Sequence, residues 1–242
     1  MSYALSLTQS QALASLRTVL LTALPSGIEV IQGEDNQVPE PIGPDFVIFW
    51  PILRSRLGTN ISTYSDCAFT GSISGGTLTV SSIGMGAINT AARPVLFGPS
   101  VASGTQITAQ LAGAAGSTGT YTVSQPQTLA SGPLAAGIAS MMKPSQYTVQ
   151  IDFHGPNSGD NAEIISVLMR SSQGVGLFQA TGYDVTPLYC NDTRQMPWSN
   201  AENQTEKVWS VDAVMQVNSI VWIPQQFFSA LSVTVKPPID LS

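Results

Sequence analysis

The chain has 242 residues, of which 43% are apolar and only 10% are charged, and its formal net charge is −6. This acidic balance argues against binding to nucleic acid or to an anionic membrane through a basic patch. No apolar run reaches the roughly 20 residues that span a bilayer, and no basic residue precedes Arg17 as in a secretory signal. We expect a cytosolic chain whose weakly charged surface is partly buried in an assembly or covered by hydroxyl and amide side chains.

The first predicted element is an amphipathic helix from Thr8 to Leu24. Thr8 or Ser10 caps its start, and Pro25-Ser26-Gly27 ends it. Its apolar positions recur at spacings of three and four, as one buried helix face requires: Leu13, Leu16, Leu20, Leu21 and Leu24.

A short strand, a polar loop and a longer apolar strand follow the helix. The short strand covers Ile28 to Ile31, and the loop from Gly33 to Pro44 carries Glu34, Asp35 and Glu40. Residues 45–54 are strongly apolar and β-prone. Because proline cannot donate to a β-ladder, Pro51 predicts an edge position or a bulge there.

The composition changes between Asp66 and Met142, where Asp66 and Arg93 are the only charged residues and 12 of the 21 glycines lie. Alternating apolar residues predict short strands with buried faces, separated by turns such as Gly75-Gly76. The predicted strands cover residues 68–73, 77–83, 94–96, 106–111 and 120–123. We interpret residues 66–142 as a small β-rich Gly/Ser/Thr module, inserted into a host domain formed by residues 1–65 and 143–242.

The clearest local pattern runs from Tyr147 to Arg170. Alternation predicts a strand to His154, and Gly155 to Gly159 form a turn. A helix follows, for which Asp160 and Glu163 predict a capping box.

Shorter elements complete the host domain. Residues 175–181 predict an irregular or helical piece, residues 184–190 a strand broken by Pro187, and residues 191–205 a long polar loop. Strands are expected at 206–217 and 231–235. The predicted class is α+β, with two helices and a mixed or antiparallel sheet of about five strands.

Few residues offer catalytic or metal chemistry. His154 is the only histidine, and we interpret it as a hydrogen-bonded turn residue. Asp152, Asp160 and Glu163 either share a divalent ion or, as we favour, cap the helix and pair with a neighbour. Cys67 and Cys190 predict two free thiols. We expect no enzyme, no cofactor and no metal.

The remaining candidates are contact residues. Arg54 and Arg56 form either a solvated strand end or an inter-subunit salt bridge. Four tryptophans predict core or interface anchors rather than a base-stacking platform: Trp50, Trp198, Trp209 and Trp222.

Three segments of the host resemble the phage neck or tail-terminator family: Ile28 to Tyr64, Tyr147 to Glu163, and Val185 to Asn218. The most telling pieces are Gly43-Pro44, Asp152-Phe153 followed by Gly155-Pro156, and Pro187-Leu188 leading to Arg194-Gln195. The resemblance implies a ring, usually of six copies, at the head-proximal end of a phage tail. Such a ring stops growth of the tail tube and docks to the head connector.

The resemblance also implies the protein's surroundings. They are further copies of the chain, tail tube and sheath proteins, the head-tail connector, and duplex DNA that crosses the lumen without specific binding. The protein would be assembled in the bacterial cytoplasm and remain in the virion. The expected contact residues lie in polar loops and at strand ends: Glu34, Asp35, Glu40, Arg54, Arg56, Asn60, Arg194, Gln195 and Trp198.

Two other classes of protein stay open. One is a different structural subunit of the tail tube, the baseplate or the head connector. The other is a decoration protein that binds glycans through residues 66–142, although Tyr121 is the only Tyr or Trp in that stretch.

Overall fold

The computed structural model describes residues 5–33, 41–199 and 205–227. These residues divide into two compact units. One holds residues 62–140 and 222–227, and the other holds residues 5–61 and 141–221. The predicted module boundaries at 66 and 142 stay a prediction.

In chain order, the elements are α1 (Gln9–Ala23), β1 (Glu29–Gln32), β2 (Phe46–Arg56), β3 (Ile61–Ser65), β4 (Ala68–Met85), a short 3-10 helix (Thr90–Ala92), β5 (Ile107–Gly113), β6 (Gly119–Ala135), β7 (Ile138–His154), α2 (Ser158–Leu168), α3 (Ser172–Ala180), β8 (Val185–Cys190), β9 (Arg194–Ser199) and β10 (Thr205–Pro224).

The class is α+β, as predicted. Five strands form the path β1-β2-β7-β10-β8, while β3 pairs with β7 and β9 pairs with β10. This sheet is mixed, because β1 runs parallel to β2 and β2 runs antiparallel to β7. Buried residues of α1, α2 and α3 join buried strand residues in one apolar core.

Helix α1 confirms the first sequence prediction. Thr8 caps it through a capping box, in which Gln11 N donates to Thr8 Oγ1 at 3.3 Å and Thr8 N donates to Gln11 Oε1 at 2.9 Å. These bonds satisfy backbone donors that the first helical turn leaves free. Leu13, Leu16, Leu20 and Leu24 are buried, as the spacing indicates, but Leu21 was wrongly predicted for this face and is 44% exposed.

The predicted distortion at Pro51 is a bulge inside the sheet. Pro51 lies opposite Val149 but Leu53 lies opposite Thr148, so Ile52 is an extra residue on β2. Strand β2 pairs with β1 on one side and β7 on the other. The ladder with β1 ends at Phe49, so among the described residues Pro51 has a strand neighbour only on the β7 side. The predicted bulge and the predicted edge position therefore both apply at Pro51.

The capping box predicted for Asp160 and Glu163 is wrong. Helix α2 begins at Ser158, and its N-cap residue, Asn157, makes no side-chain capping bond. The Asp45 carboxylate instead accepts hydrogen bonds from Asn157 N at 2.9 Å and Asn157 Nδ2 at 2.8 Å. This link ties the turn to the start of β2, and Asp160 lies in the first helical turn, where the helix dipole favours a carboxylate.

Three further predictions of secondary structure need correction. Residues 172–180 form a helix, which confirms the helical alternative predicted for residues 175–181 but adds a third helix to the two expected. Ser171 caps it by accepting from Gly174 N at 3.0 Å. Strand β9 lies within the predicted loop 191–205, because it pairs with the first residues of β10. The main sheet has seven strands among the described residues rather than about five. The predicted strand at 231–235 lies outside the described residues.

The smaller unit has a sheet of its own in the order β4-β6-β5. The predicted turn at Gly75-Gly76 is wrong, because β4 runs from Ala68 through Met85 and absorbs those residues as a shift in register against β6. Residues 94–96 form only an isolated bridge, from Val95 to Gln106. Tyr121 lies at the centre of this unit's core.

We expect Gly155→Ala to destabilise the fold by roughly 2–4 kcal/mol, because it combines backbone strain with overpacking. Gly155 has φ +100, and an added Cβ would overlap the Pro44 carbonyl oxygen. The control is Gly182→Ala, because Gly182 has φ +75 with open space around it. This variant should lose about 1–2 kcal/mol of stability from backbone strain alone. Urea unfolding measures both, and equal losses would contradict the packing argument.

Candidate interface

Arg54 and Arg56 lie on one face of the sheet, at the end of β2. They lie opposite Tyr147 and Ser145 of β7, and residues two apart on a strand point to the same side. The Arg54 guanidinium lies over the Tyr147 ring at 5.7 Å and donates from Nη2 to Ser219 Oγ at 2.7 Å. Ser219 Oγ in turn donates to the Leu7 carbonyl oxygen at 3.0 Å. These contacts hold the guanidinium in one orientation.

Arg56 is exposed and has a partner in the next loop. Its Nη1 donates to Asn60 Oδ1 at 2.6 Å. The structure thus brings together three of the predicted contact residues, Arg54, Arg56 and Asn60. Among the described residues, no carboxylate forms an ion pair with either arginine, and Arg54 Nε is buried without a hydrogen-bond partner.

The bulge beside these arginines exposes two large apolar side chains. Ile52 is 51% exposed and Leu53 is 57% exposed. Leu53 lies opposite Thr148, so it points to the opposite face of the sheet from Arg54. Both faces of this strand end are therefore accessible.

A second group of predicted residues lies on β9. Arg194 makes two hydrogen bonds to the Asp212 carboxylate, at 3.1 and 3.2 Å, which raise the pKa of the Arg194 guanidinium. Gln195 is exposed and lies opposite Trp209 of β10. Trp198 lies opposite Glu206, and its side chain is outside the described part.

The two groups are far apart. Strand β9 pairs with β10 as far as Ser210, whereas Arg54 contacts Ser219 of the same strand. Nine strand residues span about 30 Å, so the structure does not join the predicted residues into one site. Glu34, Asp35 and Glu40 lie outside the described residues.

The residues considered for catalysis or metal binding have structural contacts. The His154 ring stacks on Phe46, with centroids 4.4 Å apart. Gln150 Nε2 donates to both Asp152 carboxylate oxygens, at 3.0 and 3.2 Å. Within residues 5–33, 41–199 and 205–227, no group of three or more metal-ligating side chains is close enough to hold an ion.

One surface is absent from the sequence-based list. Asp160, Glu163, Ile164 and Val167 are all exposed on α2. Their spacing of i, i+3, i+4 and i+7 places them on one stripe of the helix. The spacing was visible in the sequence, but only the structure shows that this stripe faces away from the core.

Part of the chain is similar to a known protein family. The model of the phage neck terminator protein family matches residues 116–238, just over half of the chain. The chain belongs to the phage neck terminator family. No curated protein matches the chain.

The matched region covers two of the three segments that carry the resemblance, Tyr147 to Glu163 and Val185 to Asn218, and it leaves Ile28 to Tyr64 outside. It also begins at residue 116, inside the predicted module, which therefore stays a prediction. Membership makes this chain a structural phage protein of the neck and tail, one that interacts with other tail or head proteins. None of the described helices combines the length and apolar character that a membrane crossing requires.

Both cysteines of this neck terminator are free, as predicted, and the structure shows that both are buried. Burial raises the pKa of Cys67 to about 11 and that of Cys190 to about 12. The nearby Asp66 carboxylate adds to the shift at Cys67. Because the thiolate is the reactive form, both thiols are protected in the folded chain.

We expect both thiols to react with a disulfide reagent at pH 8 at least roughly 100-fold more slowly in the folded than in the unfolded protein, since the pKa of each is raised by two units or more. Folding favours the neutral thiols, so this stabilisation is fully present below the unfolded pKa, about pH 9, and is lost as the pH rises through 11 to 12. The rate at which each thiol reacts with the reagent is followed by absorbance, with and without denaturant. Cys67→Ser and Cys190→Ser assign each signal, and fast reaction of one thiol in the native protein would contradict its burial.

We expect Arg54→Ala to destabilise the chain by about 1–2 kcal/mol, because it removes a charge-assisted hydrogen bond to Ser219 and the packing on Tyr147. Arg56→Ala is the matched control two residues along the same strand. Arg56 is exposed and donates to the exposed Asn60 side chain, so its replacement should lower the free energy of unfolding by no more than about 0.5 kcal/mol. Thermal unfolding measures the loss of stability in both variants. Equal losses would show that the contacts of Arg54 with Ser219 and Tyr147 do not stabilise the fold.

Proposed function

We propose that this neck terminator closes into a ring at the head-proximal end of a phage tail, ends the growth of the tail tube and joins the tail to the head connector. The observation that carries this proposal is the family match over residues 116–238. In this role the ring contains several copies of the chain, six being the expected number. Its neighbours are the tail tube, the sheath where one exists, and the connector.

The surface chemistry supports an assembled state. Only 10% of the residues are charged, and large apolar side chains such as Ile52 and Leu53 are more than half exposed. Exposed apolar groups beside an oriented arginine are typical of protein interfaces, which are enriched in arginine and depleted in lysine and glutamate.

The charge supports a lumen through which DNA passes. Non-specific binding to DNA is driven by basic residues that neutralise phosphate groups and release their counterions. A net charge of −6 repels phosphate groups, so it opposes the binding that would retain DNA. Within the proposal the chain is a virion component with a mechanical role, and no catalytic step or cofactor is assigned to it.

The structure provides a specific argument against glycan binding through residues 66–142. Sugar recognition by stacking requires an exposed aromatic face, and Tyr121 is the only Tyr or Trp in this stretch. Its ring is fully buried, and its hydroxyl donates a hydrogen bond to the Ser117 carbonyl oxygen. Tyr121 is therefore part of a core and not of a binding surface.

Electron microscopy of the purified chain, alone and mixed with isolated tail tubes, tests the proposal. We expect closed rings with a central hole wide enough for duplex DNA, present at one end of each tube. The control is a tube preparation without the chain, which should show bare ends that continue to grow when tube subunits are added. Open-ended polymers of the chain would favour a tube subunit. Tubes that stay uncapped and keep growing would overturn the terminator proposal.

A further inference from the structure

Two surfaces of the larger unit carry opposite charges that have no ion-pair partner within the described part of the chain. The first, here called the arginine surface, consists of Arg54 and Arg56 at the end of β2. The second, here called the acidic stripe, consists of Asp160, Glu163, Ile164 and Val167 on α2. Within the described residues, the ion pair that forms joins Arg194 to Asp212, away from both surfaces.

Arg54 is the stronger indication of a missing partner. Its guanidinium is half-buried and its Nε is fully buried without a hydrogen bond. Buried charges in proteins are paired, because removal from water is costly for a charge that gains no opposite charge. Ser219 and Tyr147 orient the group but do not neutralise it.

The acidic stripe has matching chemistry. Asp160 and Glu163 are exposed one helical turn apart. Ile164 is 39% exposed and Val167 is 60% exposed. Two unpaired carboxylates beside two exposed apolar side chains are unusual for a helix face directed only at solvent, and they provide both charge and contact area for docking.

The spacings of the two surfaces also match. Residues two apart on a strand lie about 6.6 Å apart, which applies to Arg54 and Arg56. Residues three apart on a helix face have Cβ atoms about 5–6 Å apart, which applies to Asp160 and Glu163. Each guanidinium can therefore meet one carboxylate, in the planar paired geometry that arginine favours.

The described part of a single molecule does not join its own two surfaces. Arg54 lies opposite Tyr147, whereas α2 follows the other end of the same strand, β7, beyond His154. Neither arginine forms an ion pair with a carboxylate of α2 in the described residues. A second copy of the chain can bring the complementary surfaces together.

We propose that the arginine surface of one copy binds the acidic stripe of the next copy. Because different patches meet, the contact is head-to-tail, and repetition of such a contact closes a ring or extends a filament. The inference rests on the proposed ring and names the two surfaces that join neighbouring copies. Arg54 and Arg56 are contact residues in it, and the apolar pair Ile164 and Val167 lies at the same junction.

The test is a charge exchange between the two surfaces. Arg54→Glu with Arg56→Glu, and separately Asp160→Lys with Glu163→Lys, place like charges at the junction. Each should weaken self-association by at least about 100-fold, since juxtaposed like charges cost several kcal/mol. The four substitutions in one chain should restore the assembly, as should an equimolar mixture of the two variants, because each reversed surface then meets its complement.

Matched controls carry the same change in charge elsewhere. Arg93→Glu with Lys207→Glu, and Asp184→Lys with Asp192→Lys, alter exposed residues outside both surfaces and should assemble like the unmodified chain. Circular dichroism checks that each variant folds. If the variant at Arg54 unfolds, Arg56→Glu alone and the helix variant still test the contact, because those side chains are exposed.

Sedimentation velocity and electron microscopy, with the chain alone and on tail tubes, separate the possible failures. Rings that persist in both folded reversal variants would overturn this contact and leave the proposed function intact. Open filaments of the unmodified chain that the reversals abolish would support the contact and overturn the closed ring. An unmodified chain that stays monomeric alone and on tubes would overturn both.

Discussion

The antiparallel ladder between β2 and β7 is the constraint on which the larger unit depends. It runs from Phe46 opposite His154 to Arg56 opposite Ser145. At its first end, the Asp45 carboxylate holds Asn157 and thereby the start of α2. At its other end, Arg54 reaches Ser219 of β10. A shift of one residue would move every side chain of β2 to the opposite face, burying Ile48 in place of Phe49 and separating Arg54 from Ser219.

Sequence periodicity was sufficient to predict secondary structure where a helix or strand buries one face. The leucines of α1 and the alternating residues 147–153 predicted the helix and the strand on which the larger core is built, because burial imposes the period directly. It was insufficient where long-range pairing decides the structure. Gly75-Gly76 has the composition of a turn, yet β4 stays paired with β6 from Ala68 to Val80, and the register shift beside Gly75 leaves the additional residues on β6. Residues 191–205 were predicted to be a polar loop, yet pairing with β10 makes residues 194–199 a strand.

The candidate interface was predictable only in part, for a similar reason. Arg54, Arg56 and Asn60 are close in sequence, and a strand with a short loop keeps them together. Arg194 was predicted as a further contact residue, and the sequence did not indicate that about 30 Å of β10 separates it from Arg54. The exposure of α2 depends on which side of the helix the sheet covers. The sequence indicates an amphipathic helix, but Ile164 and Val167 break its pattern, and only the packing shows that both lie on the exposed side.

The contrast between Arg54 and Arg194 shows how the same side chain serves two purposes. Arg194 is exposed and already meets Asp212 within the chain, an arrangement of small net value in water. Arg54 is oriented by neutral partners and half-buried, so its charge remains available at a site where solvent screens it less. An oriented, half-buried cation without a carboxylate of its own among the described residues gains most when a second molecule supplies that carboxylate, because the new ion pair offsets the loss of water around the guanidinium.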